Sequence, residues 1–135
     1  MTSSGAARVA LGVLFIVAGI MHFVVPDFYT AIIPASFPAP AALVALSGLA
    51  EMAGGMGLMI PRVRQLAGVG LVLLLIAVFP ANLEMLRQAR LRSGPEWVEV
   101  ALWLRLPLQV VLIWLVWRLS RRSSLSRRGD LTVEG

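Results

Sequence analysis

The chain has 135 residues, 59% of them hydrophobic and 14% charged, and its net charge of +5 rests on twelve arginines with no lysine. Soluble domains are nearer half apolar and a quarter charged, and a core of this size is too small to hide the excess. With no cysteine and a single histidine, His22, the chain offers no disulfide, no thiol redox chemistry, no iron–sulfur ligation and no bis-histidine haem within one copy, and no metal site is expected.

Four apolar stretches approach the roughly 20 residues that cross a bilayer. The first covers residues 8–25. A basic residue before an apolar run also suits a signal peptide, but the run leads into His22-Phe23-Val24-Val25-Pro26-Asp27, which is bulky and polar where a cleavage site needs small residues. The connection over residues 26–40 is aromatic, rich in proline and almost uncharged, which suits a segment lying in the interface and capping the bundle.

The second span covers residues 41–60 and carries Glu51 near its middle. Ser47, Gly48, Gly54 and Gly55 are three or four residues from Glu51, so they are expected on its face, and their small size predicts a close neighbouring backbone. The third span is purely apolar only to Phe79, but helix-favouring residues continue through Leu86, so residues 66–86 are expected as one helix kinked at Pro80. The fourth covers residues 98–117, with Arg105 about 10 Å inside its end by helical rise, Pro107 after it and Gln109 one turn deeper.

The expected fold is therefore all-α: a four-transmembrane-helix bundle over residues 1–119, followed by a disordered basic tail over 120–135. Both termini are expected in the cytoplasm. The end that carries them holds Arg8, Arg62, Arg64, Arg118, Arg121, Arg122, Arg127 and Arg128, against Arg87, Arg90 and Arg92 opposite. Basic residues placed at span ends serve topology, and nucleic acid is not an expected partner. The arginine-only basic set suits a GC-rich bacterial genome, and so a multi-pass protein of the bacterial inner membrane.

Charged groups inside a bilayer are costly and turn toward a bundle interior or a cavity. Antiparallel spans bring His22, Glu51, Asn82, Arg105 and Gln109 to mid-depth or to the half away from the termini, and these five form the expected intramembrane polar cluster. Glu51 and Arg105 are its expected ion pair, since each alone is an isolated charge in low dielectric. The bland alternatives are a hydrogen-bonded clasp at Glu51, an interfacial His22 and an Arg105 that snorkels outward.

His22-Phe23 with Pro26 and Tyr29, Ser47-Gly48 with Glu51, Gly57-Leu58 and Pro61 with Arg64, and Phe79-Pro80-Ala81-Asn82 together resemble the DoxX-like family of small membrane proteins. The likeness covers residues 11–85, and the fourth span agrees only in being hydrophobic. The resemblance implies a four-helix membrane bundle and association with oxidoreductases, since founding members are subunits of a thiosulfate:quinone oxidoreductase and eukaryotic relatives look like assembly factors. The expected role is an accessory or assembly subunit, or a binder of small lipophiles, with the bilayer and a membrane or oxidoreductase subunit as partners. Two alternatives stand beside it. One is a quinone-interacting subunit in which His22 or Glu51 supplies a proton and Arg105 contacts a carbonyl oxygen. The other is a small proton-coupled transporter working through Glu51. No cofactor fingerprint is evident, quinone being the one group considered. Substrate, catalytic status and oligomeric state are left open by the residues.

Overall fold

Residues 3–121 are described by a computed structural model, and six helices carry them. They are α1 (Ser3–Val24), α2 (Pro26–Ala31), α3 (Pro40–Met59), α4 (Arg64–Ala77), α5 (Phe79–Leu91) and α6 (Glu96–Arg121). Four units are long and apolar enough to cross a membrane: α1, α3, the combined 64–91 segment, and α6. The protein is thus an all-helical multi-pass membrane protein. Its outer surface agrees, with Leu46, Leu66, Leu73, Val100 and Leu104 all exposed, as side chains facing lipid must be.

Lipid tails are as apolar as leucine, so helices in a bilayer associate through close packing of small residues. The α1–α3 pair is built this way. Gly12 and Gly19 lie two turns apart on α1, and Gly48 and Gly55 lie two turns apart on α3. A Cβ on Gly12 would fall 2.7 Å from the Gly55 carbonyl oxygen, and one on Gly19 2.5 Å from that of Gly48. The two antiparallel backbones therefore meet at two glycine crossings. The other flank of α3 is small as well, Gly54 facing Leu71 and Gly57 facing Ala67 of α4. This corrects the expectation of a single face shared with Glu51: Gly48 and Gly55 meet α1, while Gly54 meets α4.

The kink is a break. α4 stops at Ala77, Val78 turns, and α5 restarts at Phe79 with Pro80 in its first turn, where a missing N–H costs least. The fourth helix reaches beyond its expected end to Arg121. Ser120 is buried against Gly68, so the boundary placed at 119/120 falls inside α6. The rest of the expected tail, residues 122–135, lies outside the described residues.

The two ends of the bundle differ. The buried core of Leu11, Phe15, Leu58, Leu71, Leu75, Val116 and Leu119 fills the end that carries the termini. There the Arg8 Nε donates to the Leu119 carbonyl at 3.1 Å, and the Arg64 Nε to the Leu58 carbonyl at 2.9 Å, satisfying carbonyls near helix ends. At the far end the first connection folds over the helices. Ala39 takes a left-handed conformation (φ 47°) just before Pro40, which turns the chain into α3.

The glycine crossings lead to a direct test. A Cβ on Gly48 would sit 2.8 Å from the His22 Cβ and 2.9 Å from the Gly19 carbonyl oxygen. Gly48→Leu should cost about 2 kcal/mol in thermal unfolding in detergent, as overpacking does. Leu46→Phe, on a lipid-facing site, should stay within about 0.5 kcal/mol. Equal midpoints for the two variants would remove the glycine crossing as the organising contact.

Candidate functional site

Above the packed core, the far end encloses a cavity of about 230 Å³. α1 contributes His22, α3 contributes Ser47 and Glu51, α4 and α5 contribute Leu74 and Asn82, and α6 contributes Arg105. Tyr29 of α2 and Ile32, Pro34 and Phe37 of the first connection also line it, so that segment caps this end as its composition suggests. Its walls are mainly apolar, and the polar groups are few.

Four of the five expected site residues meet here, and the fifth stands just behind them. His22 is buried, and its Nδ1 lies 2.9 Å from the Ala18 carbonyl oxygen, which assigns the proton to Nδ1 in the neutral ring. The Glu51 Oε2 lies 3.6 Å from the same nitrogen, near enough for electrostatic contact but too far for a hydrogen bond. That Oε2 is buried without any hydrogen-bond partner. Buried polar atoms are nearly always satisfied, so an orphaned carboxyl oxygen on a cavity wall marks a place where a ligand group or water belongs.

Tyr29 is the residue that sequence reasoning left out of the site. Its ring stacks on His22 with centroids 3.9 Å apart and planes 20° from parallel, and Phe28 packs edge-on against it at 5.5 Å. Burial pushes the Tyr29 phenol above its ordinary value, the neighbouring Glu51 adds to the rise, and Arg105 opposes it. The hydroxyl therefore stays protonated and able to donate at neutral pH. The only hint in the sequence was its place in the motif around His22, because α2 is a single short turn with no amphipathic pattern to read.

Gln109 is buried and does not line the cavity; it holds the α4–α5 break together. The turn at Val78 and the missing N–H of Pro80 loosen the carbonyl ladder there. The Gln109 Nε2 donates to the Leu75 carbonyl, and the Asn82 Nδ2 donates to the Gln109 Oε1 at 2.6 Å. A neighbouring helix re-satisfies the broken backbone, as transmembrane prolines require.

Arg105 departs from expectation. It is exposed at the fork between α5 and α6, its one hydrogen-bond contact is the Met85 sulfur at 3.9 Å, and no carboxylate lies within 4.0 Å of its nitrogens among the described residues. The expected Glu51–Arg105 ion pair is therefore not formed. Both line the cavity, but Glu51 points to His22. The reason is geometric, since the glycine crossings draw α3 to α1, while α6 packs mainly on α4 and α5.

The deciding comparison covers nearly the whole bundle: a family model described as a domain of unknown function, DUF8561, matches residues 11–120. The chain belongs to the DUF8561 family. The DUF8561 domain takes in almost all of the four spans, including the fourth. No curated protein matches the chain, and no solved structure does.

The Asn82–Gln109 link makes the second test. Asn82→Ala strands the Gln109 Oε1, and removing one partner of a buried hydrogen bond costs about 1–3 kcal/mol. Gln109→Leu should cost a similar amount, while the double variant should recover about 1 kcal/mol of the sum. A thermal-unfolding cycle in detergent reads this coupling. Strict additivity would mean that the side chains do not touch.

Proposed function

We propose that this DUF8561 protein binds a small amphipathic molecule within the bilayer and serves as a binding or accessory subunit. The apolar body of the ligand lies against Leu43, Val44 and Leu74, and its polar end meets the Glu51 carboxyl beside the His22–Tyr29 stack. The observation that carries this reading is the buried Glu51 oxygen without a hydrogen-bond partner on the wall of a cavity. Size supports it. An apolar cavity of about 150 Å³ takes up benzene, so 230 Å³ has room for a substituted ring. The His22–Tyr29 stack beside a carboxyl also favours a second reading. In it the ligand is a quinone, Glu51 or His22 hydrogen-bonds one carbonyl and Arg105 reaches the other. The motif around His22, Glu51 and Asn82 supports placing the protein among DoxX-like proteins, with a membrane or oxidoreductase subunit as partner.

Native mass spectrometry of gently solubilised protein tests the binding. The wild type should carry a non-protein adduct that Glu51→Gln and Ser47→Leu each reduce about tenfold, the second by filling the cavity while sparing the polar cluster. Losing one charged hydrogen bond has an effect of this size. Leu46→Phe should keep the adduct. Full retention in Ser47→Leu would exclude the cavity, and an adduct of quinone mass would select the second reading.

Within this proposal both termini are cytoplasmic and the protein resides in a bacterial inner membrane. The support is the set of eight arginines on the terminal end against three in the connection opposite. Single cysteines at Ser4, Ser36 and Ser123 can be probed with an impermeant maleimide in intact cells, because the chain has no cysteine of its own. Only Ser36→Cys should react. Labelling of the other two with Ser36→Cys silent would invert the topology.

A further inference from the structure

The α5–α6 hairpin continues past the first cavity. Asn82 to Leu91 and Glu96 to Arg105 are each nine residues of rise, so the hairpin tip stands about 13 Å beyond the polar cluster, at headgroup depth. α2 leans on this projection, and the Gln88 Nε2 donates to the Ala31 carbonyl at 2.9 Å. Between them lies a second cavity of about 510 Å³, larger than the first and sharing only Ile32 and Arg105 with it.

Three arginines, Arg90, Arg92 and Arg105, line this space over an apolar wall that includes Phe28, Met85 and Leu102. Glu99 is the one carboxylate among the lining residues, and the Arg90 Nε engages it at 3.1 Å. Arg87 is likewise taken, by Glu84 at 2.5 Å, and does not line the cavity. Arg92 and Arg105 are left without a carboxylate within 4.0 Å among the described residues. Arg92 stands at the hairpin tip and Arg105 about 13 Å deeper along the same cavity, and arginine presents forked donors that match phosphate oxygens. The apolar wall beneath them suits an acyl chain.

We propose that the second cavity binds the phosphate group of an anionic amphiphile, with Arg92 and Arg105 holding the phosphate and the α2–α5–α6 wall holding the start of its apolar chain. This assigns an employment to arginines that sit on the end where a topology signal would not place them. It also supplies the countercharge that Arg105 does not find in Glu51. Arg105 borders both cavities, whereas Arg92 and the α2–α5–α6 wall belong to the second alone, so the proposal does not need a ligand in the first.

The test is thermal unfolding of the full chain in a neutral detergent, titrated with dioleoyl phosphatidylglycerol, with dioleoyl phosphatidylcholine, or with glycerol phosphate. Phosphatidylglycerol should protect at a concentration about tenfold below phosphatidylcholine. Arg92→Gln and Arg105→Gln should each weaken that protection about tenfold, the effect of losing one charge-assisted contact. Arg87→Gln should leave it unchanged, and so should Ser47→Leu, which blocks only the first cavity. If glycerol phosphate protects as well as phosphatidylglycerol, the phosphate site stands and its ligand is a soluble phosphate ester. If Arg105→Gln fails to fold, Arg92→Gln decides alone, because Arg92 is exposed at the end of α5. Equal protection by the two lipids would overturn the proposal in favour of binding through the acyl chains alone, and an equal loss in Arg87→Gln would overturn it in favour of general surface charge.

Discussion

The backbone contact between α1 and α3 is the constraint on which the rest of the molecule depends. Two glycines on each helix, with matching spacing, let the chains approach until a single added carbon would strike a carbonyl oxygen. In water such a pair would need an apolar seam to draw it together. In lipid the solvent is itself apolar, and what distinguishes one packing from another is how closely backbones can approach. The crossings also set register. Gly19 meets Gly48, so His22 lies one turn toward the open end and Glu51 one turn toward the termini, and the Glu51 side chain, leaning toward the N-terminal end of α3, brings its carboxyl to 3.6 Å from the His22 Nδ1.

From that register follows the division of the bundle into a filled end and an open end. Large aliphatic side chains from α1, α3, α4 and α6 close the half near the termini. Toward the other end the α4–α5 break and α2 interrupt the packing, and Tyr29 lines the cavity while Phe28 lies exposed, edge-on against it. Space opens because the elements there are irregular, and irregular backbone at membrane depth persists only where side chains satisfy it. The Asn82–Gln109–Leu75 chain meets that requirement.

The arginines divide along the same axis. Near the termini they are used locally: Arg8 and Arg64 cap carbonyls, Arg118 lies over Trp114 at 5.0 Å and Arg121 over Trp117 at 4.0 Å. Such cation–π contacts suit an aromatic belt, where the ring is half in lipid and the charge is in the headgroups. At the far end, Arg87 and Arg90 have carboxylate partners, and Arg92 and Arg105 face a cavity. A count of charges by side treats all of these alike, although their surroundings differ.

The sequence alone determined the number of spans, their approximate limits, an irregularity at Pro80, and that His22, Glu51, Asn82 and Arg105 lie toward the same end of the bundle. Those properties belong to single segments: the transfer of each residue to the bilayer adds along a helix, and helical rise converts position into depth. It did not determine who meets whom. Glu51 and Arg105 share a depth, yet pairing depends on the rotation of α3 about its axis, and that is decided by glycines on α1 with no hydropathy signal of their own. Gln109 is a backbone partner rather than a cavity residue because a break one helix away loosens the carbonyl ladder near Leu75. Tyr29 enters the site through a turn too short to carry any periodicity. Only tertiary structure decides these matters, because close contact between helices is a property of two surfaces, and a hydropathy pattern describes one.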